Sequence, residues 1–446
     1  MSDLLAIGAS GVRAYQTALT TVSENIANTG VEGYSRRVTN LREIQVTGSN
    51  ATAAMANGMG VQAAGITRAG DIYQQEAVRA ASADLTRTES NVKWLDRMEG
   101  ALTGDRLSER LTSFYAAGRA LGADPASSAL RVGLLGAVES AAVAFGATGR
   151  ALDQVAADMD ANAVQMARDL TDLAGTLAKV NLGLGRTQPG SAAAAQLADQ
   201  RDQVLEQMSG LLDVSTTTDQ FGRATVRLGG KAGGVLVDAA GSGQVTYARS
   251  GGAVALTLSY AGGGGVLVPR GGALAGVVDA AQRYNDTRNQ LNVIAADFAK
   301  GVNDFQAAGE DLTGATGQRM LDADPTPTDL KVVMTDPDGV AAATPGGGPR
   351  DGSNLDRLEA MRTATGPEAA ATGLVTDNAS ALRQRKAIAD AQAAIKDGAV
   401  TARASLSGVD LDNEAVDLLR FQQAYQASSR VIQVARETFQ SILEIR

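Results

Sequence analysis

The 446-residue chain contains neither cysteine nor histidine. Without cysteine it has no disulfide, no thiolate nucleophile and no zinc site built on sulfur. Without histidine it has no Ser-His-Asp triad, no imidazole base and no switch near neutral pH. A carboxylate enzyme survives these exclusions, but most enzyme classes do not. Aromatic residues make up only 4% of the chain, with one tryptophan, which argues against the aromatic walls of a deep ligand pocket. The expectation is a non-enzyme with no cofactor and no metal. No unbroken apolar run approaches the roughly 18 residues of a membrane span, so no membrane insertion is expected. Met1-Ser2-Asp3-Leu4-Leu5 lacks the basic start of a cleaved signal peptide. Forty Lys and Arg against forty-nine Asp and Glu leave a charge of −9 and no basic patch, so nucleic acid is not an expected partner.

Proline is scarce, and its placement is informative. None of the nine precedes Pro125 or follows Pro367, and five fall between Pro325 and Pro349 beside Gly346-Gly347-Gly348. That stretch reads as an irregular surface connection. Glycine concentrates elsewhere: 15 of the 51 lie between residues 229 and 276. Apolar residues there alternate, as in Val254, Leu256, Leu258 and Tyr260, with Val226-Arg227-Leu228 and Val245-Thr246-Tyr247 repeating the pattern. Alternation marks half-buried antiparallel strands, and the glycines supply turns. A small β domain of five or six strands is expected at 213–269.

The rest is helical in pattern. Leu152, Met159, Met166, Leu173 and Val180 recur every seven residues, as do Val277, Tyr284, Leu291, Phe298 and Phe305, and Leu197, Val204 and Leu211. Such repeats keep an apolar stripe on one side of a gently supercoiled helix. The fold class expected is mainly α with an inserted antiparallel β domain. A helical bundle would occupy 51–212 plus 270–406, and a coiled coil would form from both termini, 1–50 plus 407–446.

Both ends carry narrow seams. The first has Leu5, Val12, Leu19 and Ile26, and closes at Asn28-Thr29-Gly30, where glycine suits a left-handed helix end. The last has Leu411, Leu418, Tyr425, Ile432 and Phe439, with Phe421, Ala435 and Ile442 alongside, and starts at Ser407-Gly408-Val409-Asp410. Without Gly or Pro after Gly408, that helix could extend about 55 Å. The two seams could bury against each other in one chain or against other subunits, and periodicity alone leaves both open.

Asn25-Ile26-Ala27-Asn28 followed by Gly33-Tyr34-Ser35-Arg36 resembles the N-terminal signature of bacterial flagellar axial proteins, the rod, hook and hook-associated family. Ser407 to Glu414, continuing through Leu419 to Ala427, resembles the tail of its hook-associated members. Gln200-Arg201-Asp202-Gln203, Gly272-Ala273-Leu274-Ala275-Gly276, and Gly60-Val61 with Ile66, Arg68 and Asp71 agree with that branch. Val31-Glu32 stands where the family usually has Thr-Pro, and the chain is shorter than typical members. The resemblance implies a structural subunit at the junction of hook and filament, needed for filament assembly. It implies as partners the hook protein, a second junction protein on the filament side, further copies of this chain in a ring or helical layer, and an export chaperone on the C-terminal helix. It also implies an extracellular position in the flagellum, export through the flagellar apparatus without a cleaved signal, and terminal helices that order on assembly. The expected subunit-packing residues are Leu5, Val12, Leu19, Ile26, Leu411, Leu418, Phe421, Tyr425, Ile432 and Phe439. The alternatives are another rod or hook subunit, or a coiled-coil module with a ligand-binding β domain.

Other motifs carry less. Gly229-Gly230-Lys231-Ala232 lacks the spacing of a phosphate loop, and Gly183-Leu184-Gly185 lacks the third glycine of a dinucleotide site. Asp410-Leu411-Asp412-Asn413-Glu414 has Ala415 where a calcium loop needs glycine, so it reads as an acidic helix start. Asp322 and Asp324 read as solvated carboxylates in the Pro-rich connection.

Overall fold

A computed structural model describes residues 2–31, 33–44, 60–250, 252–260, 263–323, 326–364 and 366–444. Glu32 and Asp324, singled out above, lie outside the described residues, as do the side chain of Ile442 and the boundary expected at residues 50 and 51.

Helix α1 (Ser2–Ala27) is followed by an antiparallel hairpin of β1 (Arg37–Glu43) and β2 (Val61–Arg68). Then come α2 (Ile72–Gly104), α3 (Leu107–Ala123), the 59-residue α4 (Ser128–Arg186) and α5 (Ala192–Leu211). Two antiparallel three-stranded sheets follow. One is β3 (Val214–Thr218), β4 (Ala224–Leu228) and β5 (Gly234–Val237); the other is β6 (Gln244–Ser250), β7 (Ala253–Tyr260) and β8 (Gly263–Leu267). Helix α6 (Ala273–Ala307) returns to the bundle. A short hairpin of β9 (Leu321–Ala323) and β10 (Leu330–Val332) leads to α7 (Asp356–Ala364), α8 (Pro367–Ser407) and α9 (Leu411–Glu444).

The caps explain where several helices begin. Asp71, Ser127 and Ser191 each accept a hydrogen bond from a first-turn amide of α2, α4 and α5. Gly30, just past α1, has φ +77. The heptads expected in the middle of the chain fill the core. Leu152 and Met159 on α4, and Val277, Leu291 and Phe298 on α6, are fully buried. Phe114, Phe145 and Phe298 meet there, with ring centroids 5.1 and 5.6 Å from Phe298. The return from sheet to bundle is glycine-dependent. Gly272 has φ +83, and a Cβ on it would stand 2.4 Å from the Leu212 amide nitrogen.

Two expectations need correction. The Pro-rich connection is neither irregular nor at the surface throughout, since it holds β10 and a buried stretch. Met320, Leu321 and Val340–Ala343 are buried, because side chains from the bundle satisfy its backbone. Arg131, 1% exposed, donates to the carbonyls of Pro125 (2.8 Å) and Val340 (2.7 Å). Gln306 Oε1 accepts from Ala341 N at 2.6 Å, and Asn354 Nδ2 donates to the carbonyls of Phe305 and Ala341. Secondly, α4 does contain an 18-residue window apolar enough to cross a membrane by length and composition. The stretch Val132–Gly149 holds one charge, Glu139, with Ser140 and Thr148 among Ala, Val, Leu, Phe and Gly, so no single run looks long while the average is apolar. Its helix packs against α2, α3, α5 and α6.

Candidate functional site

Helices α1 and α9 run antiparallel against each other. Four pairings fix the register: Gly8 faces Ile432, Gly11 faces Ser428, Tyr15 stacks near Phe421 with centroids 6.4 Å apart, and Asn25 bonds Glu414. The backbones approach closely because small residues line the contact. A Cβ on Gly8 would be 2.7 Å from Ile432 Cγ1, and one on Gly11 would be 2.5 Å from Ser428 Oγ. The opposite flank of α1 rests on the β1–β2 hairpin. There Ser10 Oγ accepts from Val61 N at 3.2 Å, and Thr39 Oγ1 donates to Thr21 Oγ1 at 2.8 Å.

The residues expected to pack are therefore distributed unevenly. Leu5, Val12, Leu19 and Ile26 are half-buried on α1, as are Leu418, Phe421, Tyr425 and Ile432 on α9. Leu411 and Phe439 are about half exposed, at 51% and 52%. The buried positions of α1 are Gly8, Ser10, Gly11, Ala14, Ala18, Thr21, Val22 and Asn25, of which Gly11, Ala18 and Asn25 lie one residue before members of the expected row. Val22 is readable as a large apolar neighbour of the row and Asn25 as part of the signature, while the others are small or hydroxyl residues that a search for large apolar side chains passes over. On α9, Val416, Leu419, Val431 and Val434 are exposed, on the side of the helix away from α1.

At the closed end of this helix pair the signature residues form a polar cluster. Asn25, fully buried, uses its whole amide. Its Nδ2 donates to the Arg37 carbonyl (2.8 Å) and Glu414 Oε2 (3.0 Å). Its Oδ1 accepts from Arg37 N (2.9 Å) and the Tyr34 hydroxyl (2.8 Å). Glu414, also fully buried, accepts from Arg36 Nε at 2.6 Å. The positive charges continue inward. Arg37 pairs with Glu24 (3.0 Å) and Asp199 (2.9 Å), while Arg68 pairs with Asp199 (2.8 Å) and Asp202 (2.7 Å). Arg201 completes the chain by pairing with Asp202 and donating to the Gly222 carbonyl beyond β3. Gly33, at φ +78, fits against Gln203, which a Cβ would meet at 2.2 Å. The Arg36 amide donates to the Ser407 carbonyl at the end of α8.

Burial pushes the Tyr34 phenol up to about 12. Burial works against the Arg37 charge, but its bond to Asp199 and the neighbouring charges hold the guanidinium above its ordinary value. The cluster thus ties α1, the hairpin, α5, the end of α8 and the start of α9 into one electrostatic unit. Ile26, Ala27 and Asn28 of the signature contribute differently: Asn28 Nδ2 bonds the Glu24 carbonyl within the last turn of α1, and Ala27 is exposed. Glu414 was legible as part of an acidic helix start and of the tail that carries the resemblance, with no sign of its partners. Asp410 is the residue that caps α9, accepting from Asp412 N at 2.9 Å.

Comparisons with known proteins bear on the family and the fold of the chain. The family model for the flagellar hook-associated protein FlgK helical domain matches residues 93–321, just over half of the chain. The model for the flagellar basal body rod FlgEFG protein C-terminal region matches residues 402–445. Flagellar hook-associated protein 1 of Escherichia coli (strain K12) is 27% identical over 337 residues, which is 71% of this chain and 59% of that protein. The chain therefore spans about three-fifths of the length of that relative. The Bacillus subtilis hook-associated protein 1 is 23% identical over an alignment covering 96% of this chain and 95% of its own length. Among solved structures, the flagellar hook junction protein FlgK from Burkholderia pseudomallei shares the fold, with a TM-score of 0.65, 14% identity, and coverage of 74% of this chain and all of the other. Together these matches show that the chain belongs to the FlgK family of flagellar hook-associated proteins.

Proposed function

We propose that this chain is a structural, non-catalytic subunit of the bacterial flagellum, forming part of the junction between hook and filament and required for filament assembly. The observation that carries the reading is the near end-to-end alignment with the Bacillus subtilis hook-associated protein 1, covering 96% of this chain and 95% of that one. The paired termini support it physically. An α9 that keeps Val416, Leu419, Val431 and Val434 exposed along one side presents apolar area that burial against neighbouring subunits would stabilise.

In this reading the chain has a coiled-coil part from the termini (1–50 plus 407–446), a helical body (51–212 plus 270–406) and an outer β part (213–269). Leu5, Val12, Leu19, Ile26, Leu411, Leu418, Phe421, Tyr425, Ile432 and Phe439 serve packing, within the pair and between copies. Copies of the chain contact the hook protein on one side and a second junction protein on the other. The chain leaves the cell through the flagellar export apparatus with a chaperone on its C-terminal helix, and acts outside the cell.

A clean deletion, followed by electron microscopy of the cells and an immunoblot of the medium for flagellin, tests the reading. Bare hooks with unassembled flagellin outside are expected. Absence of hooks would move the protein down to the rod or hook, and normal filaments would reject the junction role.

A further inference from the structure

The seam between α1 and α9 has a weakness built into its pattern. Leu5, Val12, Leu19 and Ile26 repeat every seven residues, and so do Leu411, Leu418, Tyr425, Ile432 and Phe439. Two such stripes fit nearly as well after a slip of one heptad, because apolar packing is non-directional and the interval is the same on both helices. Gly8 and Gly11 favour the native register where Ile432 and Ser428 lie against them, and the heptad rows along the rest of the seam are indifferent to the slip. Nor does the connection to α8 forbid the slip. One heptad is about 10.5 Å, a distance that the three residues 408–410 and an unwound first turn of α9 can supply.

We infer that Asn25, Arg36 and Glu414 are positioning residues that select one register of α9 on α1. The geometry gives the reason. Glu414 is fully buried, yet both its oxygens are occupied, Oε1 by Arg36 Nε at 2.6 Å and Oε2 by Asn25 Nδ2 at 3.0 Å. Asn25 in turn is held by Tyr34 and by the Arg37 backbone, so neither partner can follow a sliding helix. In the native register the pairs satisfy one another. A slip of one heptad in one direction sets the Glu414 carboxylate against Ala18, which is fully buried, and a slip in the other direction brings Phe421 to Asn25. The first buries a carboxylate without a partner, and the second takes from Asn25 Nδ2 its charged acceptor and leaves it the Arg37 carbonyl, losses that apolar packing does not offset. A single buried polar pair choosing among equivalent apolar registers is a known use of such groups in coiled coils. The second contact of Arg36, to Asp417 at 3.5 Å, lies on the same turn of α9 and acts in the same sense.

This inference rests on the geometry of one chain and stands apart from the junction role, which the deletion experiment tests separately. Because the chain has no cysteine, introduced pairs report register without background. G11C/S428C reads the native register; G11C/A435C and L4C/S428C read slips of one heptad in the two directions. Each pair is placed in the otherwise natural full chain and in a chain carrying N25L/E414L. Oxidation in dilute solution is followed by electrophoresis to count intramolecular cross-links. The natural background should give the native cross-link and no slipped product. N25L/E414L should lose much of the native product and raise a slipped one from undetectable to a comparable yield, with helicity unchanged by circular dichroism. The charge swap R36E/E414R, tested in the same way, should recover part of the native product. Slipped products in the natural background would overturn the inference. So would a native cross-link that survives N25L/E414L alone and undiminished, or absence of any native cross-link in the natural background. Should N25L/E414L lose helicity, the milder E414Q carries the same test, with a smaller slipped fraction expected and an unchanged product ratio counting against the lock.

Discussion

The middle of the chain and its two ends use the same seven-residue grammar and reach opposite results. In the body, α4 and α6 bring Leu152, Met159, Leu291 and Phe298 to zero exposure, around a cluster that includes Trp94, Phe114 and Phe145. At the ends, α9 has Ala435 and Glu414 as its buried residues among those described, and the large members of its seam stay half covered or exposed. The body encloses its stripes on several sides. The end pair has two helices and one hairpin, which is too few to surround a stripe. A heptad therefore specifies a face that must be covered, and the number of neighbours decides whether the chain covers it alone. Buried apolar area makes the body self-sufficient, whereas the ends rest on polar contacts at one point and leave much of their apolar seam uncovered.

Substitutions can break that contrast, beginning with the body. Phe298→Ala removes the ring shared by Phe114 and Phe145 and should cost about 3–5 kcal/mol, read as a lower midpoint in denaturant unfolding of the whole chain. Arg131→Met leaves the carbonyls of Pro125 and Val340 without their donor and should cost about 2–3 kcal/mol. Its footprint in hydrogen exchange should centre on Val340–Ala343, and an evenly spread loss would show that Arg131 does not anchor that segment.

Leu418→Asp tests the other half of the contrast. The main unfolding transition should stay within a few tenths of a kcal/mol of the natural chain, as for a surface change, while cells carrying it make hooks without filaments. A large drop in the main transition would mean that the ends and the body form one cooperative unit. Tyr34→Phe removes the hydroxyl that donates to Asn25 Oδ1, which should cost about 1 kcal/mol at neutral pH, and it also changes the response to alkaline solution. Between pH 10 and about 12 the unfolded chain releases the Tyr34 proton while the folded chain keeps it, so stability falls as pH rises through that window. The phenylalanine variant should show a shallower alkaline fall in melting temperature. Some slope should remain, since Tyr284 is likewise pushed up to about 12 by burial.

Much of this was readable before any fold was known. The period-seven rows on α4 and α6 land in the core, the alternating segment at 254–260 is the central strand of its sheet, and Gly30 takes the left-handed conformation expected of it. What escaped reading shares a different cause. The β1–β2 hairpin is held by pairing between residues about two dozen apart, with a shift in register at Asn40 and Leu41, and carries no strong alternation of its own. The Pro-rich segment looked like surface because its proline and glycine deny it regular structure. It is buried because Arg131, Gln306 and Asn354 arrive from other elements to satisfy its backbone.

The candidate site divides in the same way. The signature Asn25, Gly33 and Tyr34 could be picked out from resemblance, and the terminal seams from their period. That Asn25 bonds Glu414, 389 residues away, could not. By itself the sequence determined the periodic faces, the helix starts and ends, the chemistry excluded by missing Cys and His, and the family. Those are properties of residue type and local spacing, which act over a few residues. The tertiary structure decided which faces meet, which stay open, and which acids and arginines pair. Those depend on groups far apart in the chain sharing a low-dielectric space, where a carboxylate such as Glu414 is stable only if its partners arrive from elsewhere.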